Sequence, residues 1–460
     1  MKSAVSTPLA SVLDMIGNTP MVEVKNLDTG PCRLFLKLES QNPGGSIKDR
    51  IGRAMIAGAE RDGRLKPGGV IVEATAGNTG LGLALVAALK GYKLIVVMPD
   101  KMSAEKMAHL RALGAEIVLT RSDVEKGHPA YYQDLAQSIV GRTPGAWYVN
   151  QFENPDNPRA HYEATGPEIW AQMDGKVDAF VAGVGSGGTI SGTGRFLKEK
   201  NPKLEIVLAD PVGSVLADLI NTGVMPQAGS WLVEGIGEDF IPANLDLSII
   251  DAAIAVSDAT AFATVNELLR KEGILAGSSS GTLIGAALEY CRAQTEPRNV
   301  VSFVCDTGNK YLGKAYDQAW LADQGLVTRG GEGDLRDLIA RRADKGEVIA
   351  VAPDEPLATA FARMRMFDIS QLPVLKDGAI VGLLDESDIL FAVEGGRASF
   401  KALAETVMTT ALEKLPPSGS IADLTALFAA DKVAIVADDT TFYGLITKVD
   451  LINHLRRKAL

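Results

Sequence analysis

Apolar, β-branched runs alternate with helix-like segments through residues 1–330 of the chain. Segments with the helical spacing of apolar residues, such as 103–113, separate the runs. Strands that are apolar on both faces and are separated by helices predict a mainly parallel sheet covered by helices on both sides, and hence an α/β fold. The runs predict strands at residues 34–39, 70–73, 94–99, 116–119, 179–182, 206–209 and 300–304.

The alternation ends near residue 321, and an internal repeat follows. Residues 324–334 are glycine-rich and polar, which predicts a linker. Beyond them, GLLDESD at 382–388 recurs 62 positions later as GLITKVD at 444–450, and an amphipathic helix is predicted before each copy, at 357–367 and 421–430. Small units of this kind usually pair, because neither buries enough surface alone. The predicted divisions are residues 1–320, a linker at 321–340, a first repeat at 341–398 and a second at 399–460.

Composition restricts the classes of partner and the cellular compartment that are expected for the chain. The 460-residue chain has a net charge of −11 with both signs interspersed, which argues against nucleic acid or an anionic membrane as the main partner. Three widely spaced cysteines and four histidines without ligand spacing predict neither a disulfide framework nor a metal site. The N-terminus lacks the apolar segment of a signal peptide, and the longest apolar run, 81–89, is about half of a membrane span. A cytoplasmic protein is expected.

The segment GGSIKDR at 44–50 contains the first candidate for chemistry. A Gly-Gly turn and Ser46, a potential helix cap, precede Lys48, which is expected one turn into a helix. The positive end of the helix dipole and burial both disfavour a charged amine, and a lysine that attacks a carbonyl needs this because its free pKa is about 10.4. Taken alone, the segment is equally consistent with a solvated lysine at the start of a surface helix.

Three further turns lie between a predicted strand and a predicted helix. GVGSGG at 183–188 satisfies the dinucleotide fingerprint, and Asp210 lies 22 residues beyond Gly188, where a ribose-binding acid is expected. The mid-chain position, the further glycines and the lack of an evident hydride-transfer histidine oppose an NAD oxidoreductase, and a phosphate cradle explains the glycines equally well. TAGNTG at 75–80 offers hydroxyls, a carboxamide and amides to a small carboxylate, and AGSSSG at 276–281 offers hydroxyls, although either segment could be a simple helix cap.

Together and in order, these motifs resemble those of the fold-type II pyridoxal-phosphate β-replacement enzymes, the family that contains cysteine synthase and cystathionine β-synthase. GNTP at 17–20 and EGIG at 234–237 also match, and the resemblance covers residues 8 to about 318. The tail resembles a pair of CBS domains, the repeats that bind adenosyl ligands. The resemblance implies two doubly wound α/β subdomains followed by a small α/β tandem CBS-domain (Bateman) module.

The resemblance also implies residue roles. Lys48 would hold pyridoxal 5'-phosphate as a Schiff base and then move the substrate Cα proton, Asn78 would bond the ring hydroxyl oxygen, and Ser279 would face the ring nitrogen. The residues that would bind the cofactor phosphate are Gly185, Ser186, Gly187, Gly188 and Thr189. Those that would surround the substrate carboxylate are Thr75, Ala76, Thr79 and Gln151.

Departures from the family pattern bear on the substrate. Ala76 replaces a common serine, Phe152 follows Gln151 as in cysteine synthases, and Glu238 replaces an expected tyrosine. We hypothesise that the Glu238 carboxylate attracts the amino group of an incoming amino-acid thiol such as homocysteine. The Cys/His heme-binding extension of animal relatives is lacking, so no heme is expected.

In the tail, Thr447 and Asp450 match the ribose-contacting pattern, while Asp385 occupies the hydroxyl position of the first copy. An extra carboxylate disfavours a phosphorylated nucleotide. Ligands with an uncharged sugar, such as S-adenosylmethionine, remain candidates for the second copy, and a purely dimerising module is the alternative.

The implied reaction joins L-serine and L-homocysteine into L-cystathionine and water, with release of hydrogen sulfide from cysteine as a further activity. One alternative is a cysteine synthase that uses O-acetylserine and sulfide, which Phe152 supports and the CBS-like tail opposes. The other is an adenosyl-ligand sensor with an inactive catalytic-like domain, which Lys48, Asn78 and Ser279 oppose. A homo-oligomer, dimeric or larger, is expected.

Overall fold

The computed structural model describes residues 8–75, 77–100, 104–124, 127–327 and 331–459. The chain divides into two units, Met1–Asp317 and Gln318–Leu460. Within the described residues, no helix is both long enough and apolar enough to cross a membrane.

The first unit alternates strands and helices, as the apolar pattern predicts. Its strands are β1 (Met21–Glu23), β2 (Arg33–Leu38), β3 (Val70–Ala74), β4 (Lys93–Pro99), β5 (Glu116–Thr120), β6 (Ala146–Tyr148), β7 (Ala179–Gly183), β8 (Glu205–Pro211), β9 (Ala252–Val256) and β10 (Asn299–Val304). Its helices are α1 (Lys48–Arg61), α2 (Asn78–Lys90), α3 (Ala104–Ala112), α4 (Tyr132–Arg142), α5 (Asp156–Ala160), α6 (Gly166–Gln172), α7 (Gly188–Lys200), α8 (Leu216–Thr222), α9 (Asp258–Glu272) and α10 (Ser278–Arg292).

These strands form two sheets rather than one. A four-stranded parallel sheet has the order β5-β4-β3-β6, and a six-stranded sheet has the order β1-β2-β10-β7-β8-β9, in which only β1 is antiparallel to its neighbour. The central strands are buried on both faces, and the rings of Phe180 (β7) and Phe303 (β10) meet edge to face at 5.5 Å. The fold class expected from the sequence, α/β with two wound subdomains, is confirmed.

Each sheet has one point where the strand order reverses. Chain order runs outward from β3 through β4 to β5 and then returns to β6 on the other side of β3. In the larger sheet it runs from β7 through β8 to β9 and returns to β10 beside β7. Ligands of open α/β sheets bind beyond the carboxyl ends of the strands at such switch points. The TAGNTG turn follows β3 and the GVGSGG turn follows β7, so both motifs lie at switch points.

A network of buried charges fixes the beginning of α1. The Arg50 guanidinium donates to Glu39 Oε2 at 2.7 Å and to Glu168 Oε2 at 2.7 Å, and Lys37 Nζ lies 2.8 Å from Glu168 Oε2. Although burial opposes it, hydrogen bonds from Arg50 and Lys37 lower the pKa of Glu168 to about 2. The network joins β2, α1 and α6 at one place.

The second unit contains the sequence repeat. Its elements are α11 (Gln318–Asp323), α12 (Leu357–Phe367), β11 (Gln371–Lys376), β12 (Ala379–Asp385), α13 (Glu386–Glu394), β13 (Lys414–Leu415), α14 (Ile421–Ala429), β14 (Ala434–Ala437), β15 (Phe442–Ile446) and α15 (Lys448–Ala459). Each repeat has a helix, an antiparallel hairpin and a second helix. The hairpins share a register shift, opposite Val374/Leu375 in the first repeat and opposite Val436/Ala437 in the second. Ile380 of the first repeat packs with Ile435 and Phe442 of the second.

Two packing contacts cross the divisions that the sequence suggests. Leu335, Leu338 and Ile339, placed in the linker, are buried in the hydrophobic cluster of the second repeat. Ala404, placed in the second repeat, is buried in the cluster of the first. The glycine-rich composition that predicts a linker ends at Gly333. The apolar residues that follow Gly333 pack into a hydrophobic core instead of forming part of a linker.

The charge network predicts a large effect of Arg50→Met on stability. Removing Arg50 from the ion network leaves the buried Glu39 without its cation and leaves Glu168 with Lys37 alone, so the free energy of unfolding of the first unit should fall by about 3–5 kcal/mol. Lys176→Ala breaks an exposed pair with Asp174 and serves as the control that should stay near wild type. Urea unfolding measures both variants, and equal effects would contradict the account.

Candidate active site

Lys48 is the first residue of α1 and lines a cleft together with Cys305 and the glycine-rich turn after β7. The expectation that Lys48 lies one turn inside the helix was wrong. Ser46 does not act as the helix cap, because it pairs with Asp306 in a β-bridge, although its Oγ accepts the Lys48 backbone N–H at 3.2 Å.

The electrostatic environment of Lys48 favours a neutral amine. Burial lowers the pKa of its amine, while Cys305, Asp306 and Glu238 oppose the shift through their charges. The position at the N-terminus of a 14-residue helix acts in the same direction as burial, because the helix dipole is positive there. The amine that the sequence singles out therefore has the property that nucleophilic and proton-transfer roles need.

The turn after β7 forms a cradle with little room for side chains. Gly187 has φ +82° and precedes α7, and Thr189 is the second residue of that helix. A Cβ on Gly185 would come 2.7 Å from the Gly235 carbonyl oxygen, and one on Gly188 would come 2.0 Å from Asn157 Oδ1. The residues at the start of this 13-residue helix line the cleft, and backbone amides at a helix N-terminus are an arrangement that binds phosphate.

Asn78 begins α2, and contacts with the end of β10 fix its carboxamide. Its Nδ2 donates to Asp306 Oδ2 at 2.7 Å, and its Oδ1 accepts from Lys310 Nζ at 2.8 Å. Tyr311 Oη donates to the same Asp306 oxygen at 2.8 Å. Burial lowers the pKa of Lys310, against the charges of Asp306 and Asp49. These contacts join the switch points of the two sheets.

The segment after β6 is bound to the turn after β3. Thr79 Oγ1 donates to Gln151 Oε1 at 2.6 Å, and both residues are buried. Glu73 accepts the backbone N–H groups of Asn150 and Gln151 at 2.9 and 3.3 Å. Burial raises the pKa of Glu73 to about 8 in spite of these donors. Thr75 Oγ1 accepts the Gly77 N–H at 3.3 Å, and Ala76 lies outside the described residues.

Ser279 is the second residue of α10 and hydrogen-bonds the Cys305 side chain. Burial and Asp306 raise the pKa of the Cys305 thiol to about 12, so the thiol stays protonated near neutral pH. Its neighbour Ser280 also contacts this strand end, since Ser280 Oγ accepts the Cys305 N–H at 2.9 Å.

Glu238 lies close enough to Lys48 for their charges to interact. Burial, together with Asp239 and Asp210, raises the pKa of Glu238 well above its ordinary value, and Lys48 opposes this. Its backbone is held by Ser214, whose Oγ accepts the Glu238 N–H at 3.0 Å. A positively charged neighbour would stabilise the ionised form of a carboxyl group whose pKa is raised in this way.

The sequence-predicted residues of the second unit occupy helix starts. Thr447 donates to Asp450 Oδ2 through its N–H at 2.7 Å and through Oγ1 at 2.6 Å, at the beginning of α15. Asp385 caps α13 and accepts the Asp388 N–H at 2.7 Å. Among the residues the structure describes, no cluster of His, Cys, Asp and Glu could hold a metal ion.

Several residues of the site were missed by sequence reasoning: Glu73, Asn157, Cys305, Asp306, Lys310 and Tyr311. Asp306 follows a buried parallel strand and precedes Thr307-Gly308, the same kind of signal that identifies the other turns. Asn157 offers no such signal, because its contacts lie 6 and 29 residues away in the sequence.

Comparison with known proteins agrees with this geometry. The family model described as pyridoxal-phosphate dependent enzyme matches residues 12–306, and the CBS domain model matches 336–395. Cystathionine beta-synthase of Dictyostelium discoideum is 35% identical over 97% of this chain and 92% of its own. The O-acetylserine dependent cystathionine beta-synthase of Bacillus subtilis is 44% identical over 67% of this chain and 97% of its own.

Among solved structures, a hydrogen sulfide-producing enzyme from Fusobacterium nucleatum superposes with a TM-score of 0.62 at 40% identity, and covers 66% of this chain and 100% of its own. The fold and the cleft around Lys48 are consistent with the family that these similarities indicate. The chain belongs to the pyridoxal-phosphate-dependent enzymes, among the cystathionine β-synthases, and carries a C-terminal CBS domain.

Proposed function

We propose that the protein condenses L-serine with L-homocysteine to form L-cystathionine and water. The observation that carries the proposal is the extent of the similarity. A relative named cystathionine beta-synthase matches 97% of the chain and hence both units, whereas the O-acetylserine dependent relative matches 67% of the chain. The residues of the cleft supply the groups that such a reaction needs.

The residues of the cleft fit pyridoxal phosphate. Gly185 and Gly188 have no space for a Cβ, so the turn presents backbone amides where a phosphate can approach closely. Gly187, Ser186 and Thr189 complete the proposed phosphate subsite, Asn78 and Ser279 would contact the ring, and Lys48 would hold the aldehyde carbon. When bound, the cofactor supplies an electrophilic carbon for amines and a ring that stabilises negative charge on the substrate Cα.

Several of the chain's own groups would act on the first substrate. Thr79 and Gln151, with the amides at the start of α2, would orient the serine carboxylate. The Lys48 amine would take the Cα proton at Nζ and later return it, a role that a lowered pKa favours. The Ser279 hydroxyl would face the ring nitrogen and would not keep it protonated as an aspartate would, which would favour loss of the β-hydroxyl over prolonged charge on Cα.

Glu238 is the proposed contact of the second substrate. Its carboxyl is costly to ionise in its present surroundings, and the ammonium group of homocysteine would offset that cost. Sulfide carries no such group. The residue therefore favours an amino-acid thiol over sulfide.

Lys48→Ala should abolish turnover, with a loss of about 10²–10⁴-fold from the missing proton transfer alone. Borohydride reduction of the wild type followed by peptide mapping should place the pyridoxyl label on Lys48. Lys310→Met is the matched control, because Lys310 is a second buried amine nearby and its loss should leave the label in place. A label on Lys310 would contradict the assignment.

Steady-state rates should show a higher kcat/KM for serine with homocysteine than for O-acetylserine with sulfide. Glu238→Gln should raise the KM for homocysteine about fivefold, equivalent to ~1 kcal/mol, and leave the KM for sulfide unchanged. Because the pKa of Glu238 is raised, the carboxylate forms only as the pH rises. The wild-type KM for homocysteine should therefore fall with rising pH, and that of the variant should change less.

Glu163→Gln serves as the control for Glu238→Gln, since the Glu163 side chain is 64% exposed and is not among the charges that shift the pKa of Glu238. An unchanged homocysteine KM in Glu238→Gln would remove the role of Glu238. Preference for O-acetylserine and sulfide would favour the cysteine synthase reading, which Phe152, packed 5.6 Å from the Phe240 ring, supports.

We further propose that the second CBS repeat binds S-adenosylmethionine through Thr447 and Asp450, and that the protein is a homo-oligomer. The Asp450 carboxylate at the start of α15 could accept from ribose hydroxyls in place of Thr447. Calorimetric titration of the full-length protein should show binding that Asp450→Asn weakens about tenfold or more. Asp385→Asn should leave it unchanged, and equal binding by Asp450→Asn and wild type would contradict the site.

A further inference from the structure

Asn157, at the beginning of α5, connects two parts of the active site that the sequence treats as separate. The residue is 1% exposed, so its polar atoms depend on protein partners. Its Nδ2 donates to the Gln151 carbonyl oxygen at 2.8 Å and to Ser186 Oγ at 2.8 Å. One side-chain amide therefore bonds the segment proposed to bind the substrate carboxylate and the loop proposed to bind the phosphate.

The geometry fixes the orientation of this amide. Both Nδ2 protons are used, one on each acceptor, so rotation of the amide would break two hydrogen bonds. On the other side, Oδ1 lies so near Gly188 that a Cβ there would be 2.0 Å from it. Asn157 is thus in contact with Gln151, Ser186 and Gly188 at once.

The Gln151 backbone has little freedom apart from this contact. Its carbonyl oxygen also accepts from Asn244 Nδ2 at 2.8 Å, and its N–H donates to Glu73 at 3.3 Å. Of the contacts that hold the Gln151 backbone, the one from Asn157 also reaches the phosphate loop, through Ser186. The Gln151 side chain in turn is bonded to Thr79.

We propose that Asn157 is a positioning residue that couples binding at the phosphate loop to binding of the substrate carboxylate. Ser186 Oγ accepts from Asn157, so its own proton is left to donate to an anion. A hydroxyl that donates to an anion becomes a better acceptor, and hydrogen bonds in a chain strengthen one another. A bound phosphate therefore tightens the contact between Ser186 and Asn157 and with it the placement of Gln151. The inference rests on the proposed roles of Ser186 and Gln151.

The test measures two affinities of the holoenzyme. Equilibrium dialysis gives the Kd for pyridoxal phosphate, and the absorbance change of the bound cofactor on adding L-serine gives the Kd for serine. Asn157→Asp keeps the shape but replaces the double donor with an acceptor, and should raise both values about tenfold. Asn157→Ser removes both amide N–H donors without adding a charge, and it should also raise both Kd values. It replaces Asn157→Asp in the test if that variant folds poorly.

Asn154→Asp is the matched control. Asn154 is also buried in the same segment, and its Nδ2 donates to the Val149 carbonyl oxygen at 3.0 Å. This variant carries the same chemical change and the same risk to folding, but it should alter each Kd less than twofold.

Ser186→Ala tests the coupling itself. It should raise the Kd for serine about three- to fivefold in the wild-type background and have no further effect in the Asn157→Ser background. The same effect in both backgrounds, or none in the wild type, would overturn the coupling. Gln151→Ala with an unchanged serine Kd, or Ser186→Ala with an unchanged cofactor Kd, would overturn the subsite assignment on which the coupling rests.

Discussion

The burial of four charged side chains at the start of α1 is the constraint on which the active site depends. Bringing Lys37, Glu39, Arg50 and Glu168 out of water costs several kcal/mol per ion, so the arrangement is stable only when every charge has its opposite partner. That requirement admits one position of α1 relative to β2 and α6. Lys48 precedes Arg50 by two residues, so the network that fixes Arg50 also fixes the backbone of the reactive amine.

Within the cleft, burial of charge has a different consequence. Lys37 Nζ forms an ion pair with Glu168 Oε2 at 2.8 Å. Lys48 lines the cleft, where Cys305, Asp306 and Glu238 affect its pKa through their charges. Burial lowers the pKa of both amines, but only Lys48 is placed where a ligand can use its lone pair. Desolvation of a lysine amine thus has two different outcomes. At Lys37 it is offset by an ion pair that stabilises the fold, and at Lys48, some ten residues further along the chain, it makes the amine reactive.

The sequence predicted the parts of this site that depend on local structure. Strand-to-helix turns have a recognisable composition, and the carboxyl ends of parallel strands meet at one edge, so Lys48, Asn78 and the glycines of the β7 turn could be proposed as site residues from the sequence. The sequence does not show which residues far apart along the chain are in contact. The bond between Asn78 and Asp306 spans 228 residues, and no periodicity encodes it. Short edge strands such as β1 were missed for a related reason, because three residues are too few to show a period.

Asp210 shows why contacts, and not spacing, decide between ligands. It lies where the dinucleotide fingerprint expects the ribose-binding acid, 22 residues beyond Gly188. In the structure it is fully buried, and its Oδ2 accepts the Ala217 N–H at 2.9 Å near the start of α8. A carboxylate committed to a helix start inside the protein has no surface to offer a ribose. The glycine-rich turn after β7 therefore retains the anion-binding half of the fingerprint and lacks the sugar-binding half, as a site for a monophosphate cofactor requires.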